Sequence, residues 1–537
     1  MSQSSSSGYD PAQYYDGYYA SLVSWTDGED LKQQLHSIIS GGTYQPITYA
    51  GTYTNWYSNK EADKSFTDRE KVDALYSDDD IMASETNVSW QREHVWPASL
   101  MTGSTTGNAV KFLGRATDFH NLFAGGTSGN TSRGNKNYGV ADKNASSYVN
   151  KMGNGGGYAY DSTYFEPGDK DKGRASRAIF YMATMYCEEV FDSVNNVTMK
   201  PLTIVEENVP YTESNPKFAI GGFSTLLEWS KRPVDYLEYQ HNVSVYSYVP
   251  PVHSDPANNV AQGNRNPYVD YPELVEYAFG EKKDQPGRLS DLKPTYEALE
   301  MDDPTGVISY AIETAKRTYS VGDTLSKADL KVIEIRNDFS SREINSFSLI
   351  PADGSVLDTV GKKTVTVDLP VATLKYEIDV KNTYVWSYKV VKADFTPILT
   401  KANTVNEVTL GGMDWTIWWN QGAIASSMSR EGVKFGTSAT ATQVTQLIFE
   451  TKQDFGWDGC SIVDAIAIEA APSSGQTCQI KYYVGGTLIG TKTMTYDSKA
   501  ILEFKQSLST PKTGKVKIEI INTAKPFIVK NLAVSAH

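Results

Sequence analysis

The chain has 537 residues, 40% hydrophobic and 12% aromatic, which is material for several cores and, by length, for three or four folded units. No window approaches the ~20 consecutive apolar residues that span a bilayer, so a soluble, folded chain is expected. A formal charge of −14 argues against a generic nucleic-acid binder, because phosphate affinity rests largely on Lys and Arg releasing counterions, and three cysteines exclude a disulfide scaffold.

Residues 1–8 are read as a disordered stub. Met1-Ser-Gln-Ser-Ser-Ser-Ser has neither a charged n-region nor an apolar h-region, and is what a chain looks like once an export signal has been removed. Residues 9–283 mix helical periods with Gly/Asn/Ser-rich stretches, such as 125–130 and 153–157, that read as loops. The acidic total is unevenly spread: residues 101–178 hold ten Lys and Arg, Lys111 among them, against six Asp and Glu. The clearest helix is expected over 172–190, where Ala175, Ile179, Met182, Ala183, Tyr186 and Val190 recur at 3.6-residue spacing and Arg174, Arg177 and Tyr181 share an adjacent face. Cys187 there reads as a buried, inert thiol.

A charged, Pro-containing linker is placed at 284–308. Short alternating runs between Gly/Asp/Asn turns then predict an Ig-like β-sandwich at 309–380, including Leu330-Lys-Val-Ile-Glu-Ile and Lys363-Thr-Val-Thr-Val. The same alternation predicts a second, larger β-sandwich at 384–537, where Cys460 and Cys478 are candidates for pairing. Trp415-Thr-Ile-Trp-Trp419 and Tyr482-Tyr483 look exposed there. Such aromatics form sugar-stacking platforms in binding modules, though Trp clusters are more often core.

Two segments carry the chemistry, Trp90-Gln-Arg-Glu-His-Val-Trp-Pro97 and residues 118–135, which open with Asp118-Phe-His-Asn-Leu-Phe123. Taken alone, His94 fits a satisfied core histidine and His120 a brace in a turn. Phosphodiester hydrolysis, however, needs a base that works near neutral pH, which is histidine's range, and a hard cation held by a few oxygens. Glu93 and the Asn-rich stretch supply such oxygens. In an extended strand Glu93 and His94 point to opposite faces, so periodicity alone does not assemble a site from them. A zinc site on His94 and His120 lacks a third and fourth ligand.

These segments, with Asn130 and Arg133-Gly-Asn135, Phe165-Glu-Pro167, residues 175–182 (Ala-Ser-Arg-Ala-Ile-Phe-Tyr-Met) and Gly263-Asn-Arg-Asn-Pro-Tyr268, closely resemble the bacterial endonuclease I family over about residues 9–280. That family comprises periplasmic and secreted nonspecific nucleases of the ββα-metal (His-Me finger) type. The resemblance implies an α+β nuclease domain, and with the two all-β sandwiches read from the alternation the expectation is a multidomain chain. The resemblance also implies His94 as general base, Glu93 and Asn130 as ligands of Mg²⁺ (Mn²⁺ and Ca²⁺ being alternatives), and 5′-phosphate products from DNA, with RNA as the further substrate expected. A secreted or cell-surface bacterial location goes with it, and the C-terminal modules would bind a surface or extracellular polymer.

Arg177 is then expected as the phosphate clamp, with Arg133 and Arg115 as further candidates, since guanidinium grips phosphate bidentately. Arg115, Lys136 and Arg174 are expected to contact substrate, and His120, Asn121, Asn135 and Asn264 to brace the site. Members of the family often carry an Arg-bearing, cysteine-containing insertion between the two segments. Here the interval 98–117 is short and cysteine-free, so that Arg is not carried over. The competing expectation is an inactive surface-adhesion or carbohydrate-binding protein, against which the intact Glu93, His94 and Asn130 speak.

Overall fold

A computed structural model describes residues 17–47, 62–102, 114–193, 195–209, 218–247, 260–301, 303, 305–381, 384–398, 401–421, 424–429, 432–435, 444–457, 459–472, 477–495, 501–522 and 526–536. The stub at 1–8 and Lys111 of the basic stretch lie outside them. The chain divides into two compact units, one built mainly from residues 1–317, 324–356 and 362–378, the other mainly from 379–537.

In the first unit the helix Asp169–Met185 runs through the core, and every side chain from Asp171 to Met185 is buried. The helix starts and ends earlier than periodicity predicts, and it has no solvent face, because the helices Gly28–Ile39, Phe223–Ser230 and Pro267–Asp270 pack around it. Its cations are therefore paired inside the protein, Lys172 with Glu166, Arg174 with Asp73 and Arg177 with Glu238. Gly28–Ile39 begins where the Asp27 carboxylate accepts from the Glu29 and Asp30 amides, satisfying donors that a first turn leaves open.

Beside this core the strand Trp90–His94 pairs antiparallel with Leu122–Gly126, with Glu93 opposite Phe123 and His94 opposite Leu122. The helix Thr127–Arg133 follows without a loop. The Gly-rich stretch 125–130, expected to be a loop, is thus strand end and helix start. Its glycines serve close packing: a Cβ on Gly125 would lie 2.7 Å from the Glu93 Cβ, and one on Gly129 would lie 2.4 Å from the Tyr76 Cβ.

The strands Val307–Ala315, Leu330–Arg336 and Ser341–Ile344 form an antiparallel sheet in the same unit.

The second unit has two six-stranded sheets whose inner faces share one core, in which Trp415, Trp419, Phe435, Phe449, Ile480 and Tyr482 are buried. The expected aromatic platform is corrected here. Alternation along Met413–Trp419 turns Trp415, Ile417 and Trp419 inward together, and of the expected platform aromatics Trp418 and Tyr483 alone are half-exposed. All three cysteines are thiols: Cys478 is buried on the strand Thr477–Val484, where burial pushes it up to about 12, and Cys460 sits in a tight turn bridged to Trp457.

Among the described residues no helix is long and apolar enough to cross a membrane.

Candidate active site

The strand Trp90–His94 ends in a bend at Val95-Trp96, and that bend is tied down from two sides. Asn121 accepts from the Trp96 amide (2.6 Å) and donates to the Trp96 carbonyl (3.1 Å). Arg133, fully buried, donates from Nη1 to the His94 carbonyl (3.3 Å) and from Nη2 to the Val95 carbonyl (2.5 Å). The backbone around His94 is thereby fixed by two side chains from outside the strand. A third flank comes from residues 75–76: Leu75 exchanges hydrogen bonds with Ala124 and Gly126, and the Tyr76 hydroxyl donates to Glu93 Oε1 (2.9 Å) and contacts the Tyr138 hydroxyl (2.6 Å). Tyr76 holds a left-handed φ of 66°, uncommon for a bulky residue, and its amide is fixed by the buried Asp171 carboxylate (2.8 Å).

At the strand end lies a polar cavity of about 340 Å³ lined by Arg92, Glu93, His94, Asn130, Arg133 and Asn135, among others. Glu93 and His94 thus reach one space although strand alternation separates them, because the cavity sits where the strand stops. Asn130 donates its amide hydrogen to the Arg92 carbonyl (3.1 Å), which leaves the amide oxygen available for another partner. Asn135 accepts from Ser99 (2.6 Å) at the rim.

His94 Nε2 lies 2.9 Å from the Ala116 carbonyl. A carbonyl only accepts, so Nε2 carries the proton and the neutral ring has its lone pair on Nδ1. Burial, reinforced by the positive Arg92 and Arg133, lowers the imidazole to about 4, so it is neutral throughout the physiological range. Burial acts oppositely on Glu93, raising its carboxyl to about 7 against the lowering effect of Arg133, whose Nε lies 3.9 Å away. A carboxylate so destabilised, beside an amide oxygen in a polar cavity, is suited to a hard divalent cation, whose charge offsets the desolvation cost. Among the described residues no group of three or more His, Cys, Asp or Glu is placed to hold a metal, which leaves a zinc centre on His94 and His120 without support.

Several expected site residues lie elsewhere. Arg177 has no exposed surface: Nε donates to Glu238 (2.7 Å), Nη2 pairs with the same carboxylate, and Nη1 donates to the Ser230 and Arg232 carbonyls (2.8 and 2.7 Å). It cannot serve as a surface phosphate clamp. Arg177→Met is accordingly expected to destabilise the fold by about 3–5 kcal/mol, since Glu238 is left buried without its cation. Specific activity of the folded fraction should stay at the parental level, as calorimetry and active-site titration would check.

Arg115 and Arg174 are likewise buried rather than presented to substrate. Arg115 donates to the Lys200 carbonyl (2.7 Å), and burial lowers it to about 10, while Arg174 pairs with Asp73 (3.3 Å). Lys136 is half-buried just beyond Asn135, donating to the Ser132 carbonyl and lying over the Tyr160 ring. His120 and Asn264 belong to a buried network behind the site: His120 Nε2 meets the Asn264 carbonyl (3.2 Å), and the Asn264 amide donates to Ile39 O and the Tyr181 hydroxyl.

Sequence reasoning did not single out Tyr76, Tyr138 or Arg92. Tyr76 precedes the first motif by 14 residues and meets Glu93 only through the fold; Tyr138, three residues past Asn135, reaches the site through the Tyr76 hydroxyl, and Arg92 lies inside the first motif without a chemistry of its own to mark it.

The description "Endonuclease I" names the family model that matches residues 27–273. An extracellular ribonuclease of Bacillus amyloliquefaciens is 32% identical over 278 residues, 51% of this chain and 82% of the relative. Another from Bacillus subtilis (strain 168) is 32% identical over 49% of this chain and 77% of the relative. The chain belongs to the endonuclease I family. It is thus a nuclease by family, and the endonuclease I match falls on the half of the chain that contains the cavity. A carbohydrate-binding module of Clostridium stercorarium, solved with cellobiose, aligns with 25% of the chain and 95% of that module at 17% identity and a TM-score of 0.17, too low for a shared fold to follow.

Proposed function

We propose that this chain is a secreted, sequence-nonspecific, metal-dependent nuclease that hydrolyses both RNA and DNA, leaving 5′-phosphate ends. The observation that carries the proposal is the convergence of Glu93, His94 and Asn130 on one polar cavity at the end of a strand–strand–helix unit, which we take as a ββα-metal finger. Glu93 and Asn130 would hold a divalent ion, Mg²⁺ in first place, and that ion would offset charge on the scissile phosphate and the departing oxygen. His94 accepts a proton from the attacking water at Nδ1, while Ala116 fixes the ring through Nε2. Arg133 positions the His94 backbone and biases Glu93 toward its charged form. The extracellular relatives support secretion, and their names support RNA as a substrate. A catalytically inactive adhesion protein is not favoured, and neither is a polymer-binding role for the C-terminal unit, whose Trp415, Trp419 and Tyr482 are core residues.

Incubating plasmid DNA and an unstructured RNA with the full chain tests this. Cleavage of both is expected with Mg²⁺ and none with EDTA, and the rate should fall steeply with added salt because phosphate contacts dominate. Cleavage that persists in EDTA would overturn the metal-dependent reading.

The acid–base balance of Glu93 gives a second test. Its carboxyl is held near 7, so below that pH a cation must displace a proton, and apparent Mg²⁺ affinity is expected to drop about tenfold per pH unit. Above pH 7 the affinity should level off. Titration calorimetry at pH 5.5, 6.5 and 8 measures it; affinity independent of pH across that span would contradict the assignment.

A further inference from the structure

We propose that the module built on the strands Val307–Ala315, Leu330–Arg336 and Ser341–Ile344 is part of the catalytic body rather than a tethered appendage, with Arg317 as the residue that positions the metal-site carboxylate through the segment 63–76. This rests on the proposed role of Glu93. The endonuclease I match ends at residue 273, so the family says nothing of this contact.

The segment is held at its far end by the module's strand Val307–Ala315. Ile312 N donates to the Thr67 carbonyl (3.0 Å), Arg69 N donates to the Ile312 carbonyl (2.7 Å), and Asp68 lies parallel to Ile312 as in a sheet edge. Ser309 adds a hydrogen bond to the Phe66 carbonyl (2.8 Å), and Phe66 packs against the buried Ala311, Ile333 and Ile335. Just past the strand, Arg317 Nη2 grips both oxygens of Asp68 (2.8 Å each) and its Nε donates to Glu70 (2.8 Å). The Asp68 side chain is only 3% exposed, so this fork neutralises a buried charge and fixes its direction.

The other end of the segment is part of the site. Asp63 accepts from the Ala124 amide (2.8 Å) and from the His241 ring (2.8 Å), whose other nitrogen meets the Phe119 carbonyl. His241 also stacks on Phe123, which lies opposite Glu93 across the strand pair. Asp73 N returns to the Asp63 carbonyl, Leu75 borders the strand Leu122–Gly126, and Tyr76 reaches Glu93. A loosened grip at 66–70 therefore frees the piece of chain that carries the Tyr76 hydroxyl.

The test compares Arg317→Ala, Arg317→Lys and Tyr76→Phe in the full chain, by amide hydrogen exchange and by steady-state cleavage. Arg317→Ala is expected to speed exchange in peptides covering 72–76 and 122–126 by about tenfold or more. It should also lower kcat by about tenfold with KM for nucleic acid little changed, because the group that fails is misplaced rather than missing. Tyr76→Phe should show the same kcat-only loss without faster exchange at 122–126, and Arg317→Lys, which keeps a charge on Asp68, should recover part of both effects. If Arg317→Ala does not fold, Arg317→Lys alone must still show the exchange change in those peptides. Parental exchange and kcat in Arg317→Ala, or in Arg317→Lys when that variant alone folds, overturn the proposal. A parent chain that cleaves nothing would instead sink the nuclease reading, and the exchange measurement would still decide the brace.

Discussion

His94→Ala is expected to lower the rate of cleavage by about 10²–10⁴-fold, the range that removal of a well-placed general base produces. The Nδ1 lone pair belongs to a ring that is neutral at every physiological pH, since burial holds the imidazole near 4 and the Ala116 carbonyl claims the proton on Nε2. Because Glu93 and Asn130 are untouched, Mg²⁺ affinity should change little. His94→Gln sharpens the experiment: the glutamine amide can still donate to Ala116 and so spares that carbonyl an unmet hydrogen bond, but it has no basic nitrogen. Both variants should unfold close to the parent temperature. Substantial residual activity in His94→Gln would remove His94 from the base role. The pH–rate profile of the parent adds a check with a definite sign. His94 is already deprotonated above about 4, so the rising limb should follow the ionisation of Glu93 near 7, not that of an ordinary histidine.

Glu93→Gln is expected to abolish metal-dependent cleavage, by about 10³-fold or more, while raising the stability of the metal-free protein at pH 8. The opposite signs follow from one cause. With its folded value raised above the ordinary one, Glu93 contributes stability that is fully present below about 4.5 and lost as pH rises through 7. At pH 8 the metal-free fold carries a buried charge that Arg133 offsets only in part, a burden of up to about 3 kcal/mol, which a neutral amide removes. Glutamine can still accept from the Tyr76 hydroxyl, so packing is retained. His94 opposes Glu93 in the stability balance: its depressed value costs stability as pH falls from about 6.5 toward 4, so between roughly 4.5 and 6.5 the two slopes act against each other. Metal-free melting curves at pH 5 and pH 8 read the difference directly. An apo Glu93→Gln protein less stable than the parent at pH 8 would contradict a strained carboxylate.

How much of this could be read along the chain depended on how local the cause was. His94, Glu93 and Asn130 stood out because their chemistry and the fixed order of the motifs around them are written in contiguous residues. Asn121 was legible as a brace for the same reason: it sits in the second motif and closes on Trp96 in the first. The β-rich character of the C-terminal unit was legible from two-residue alternation, which a half-buried sheet imposes on its own sequence. The arginines were misjudged because a periodic helix does not say what covers its polar side. Arg174 and Arg177 look solvent-facing on an isolated helix; in the fold other helices, with Asp73 and Glu238, close over them. Gly125 and Gly129 suggested a loop, since the Glu93 and Tyr76 side chains that demand their small size come from distant residues. Sequence by itself therefore determined the family and named the candidates for the reacting groups, as chemistry tied to short motifs. The tertiary structure alone decided which cations are buried struts, how Glu93 and His94 come to share one cavity, and that Tyr76 stands behind the carboxylate, because each depends on contacts between residues that only folding brings together.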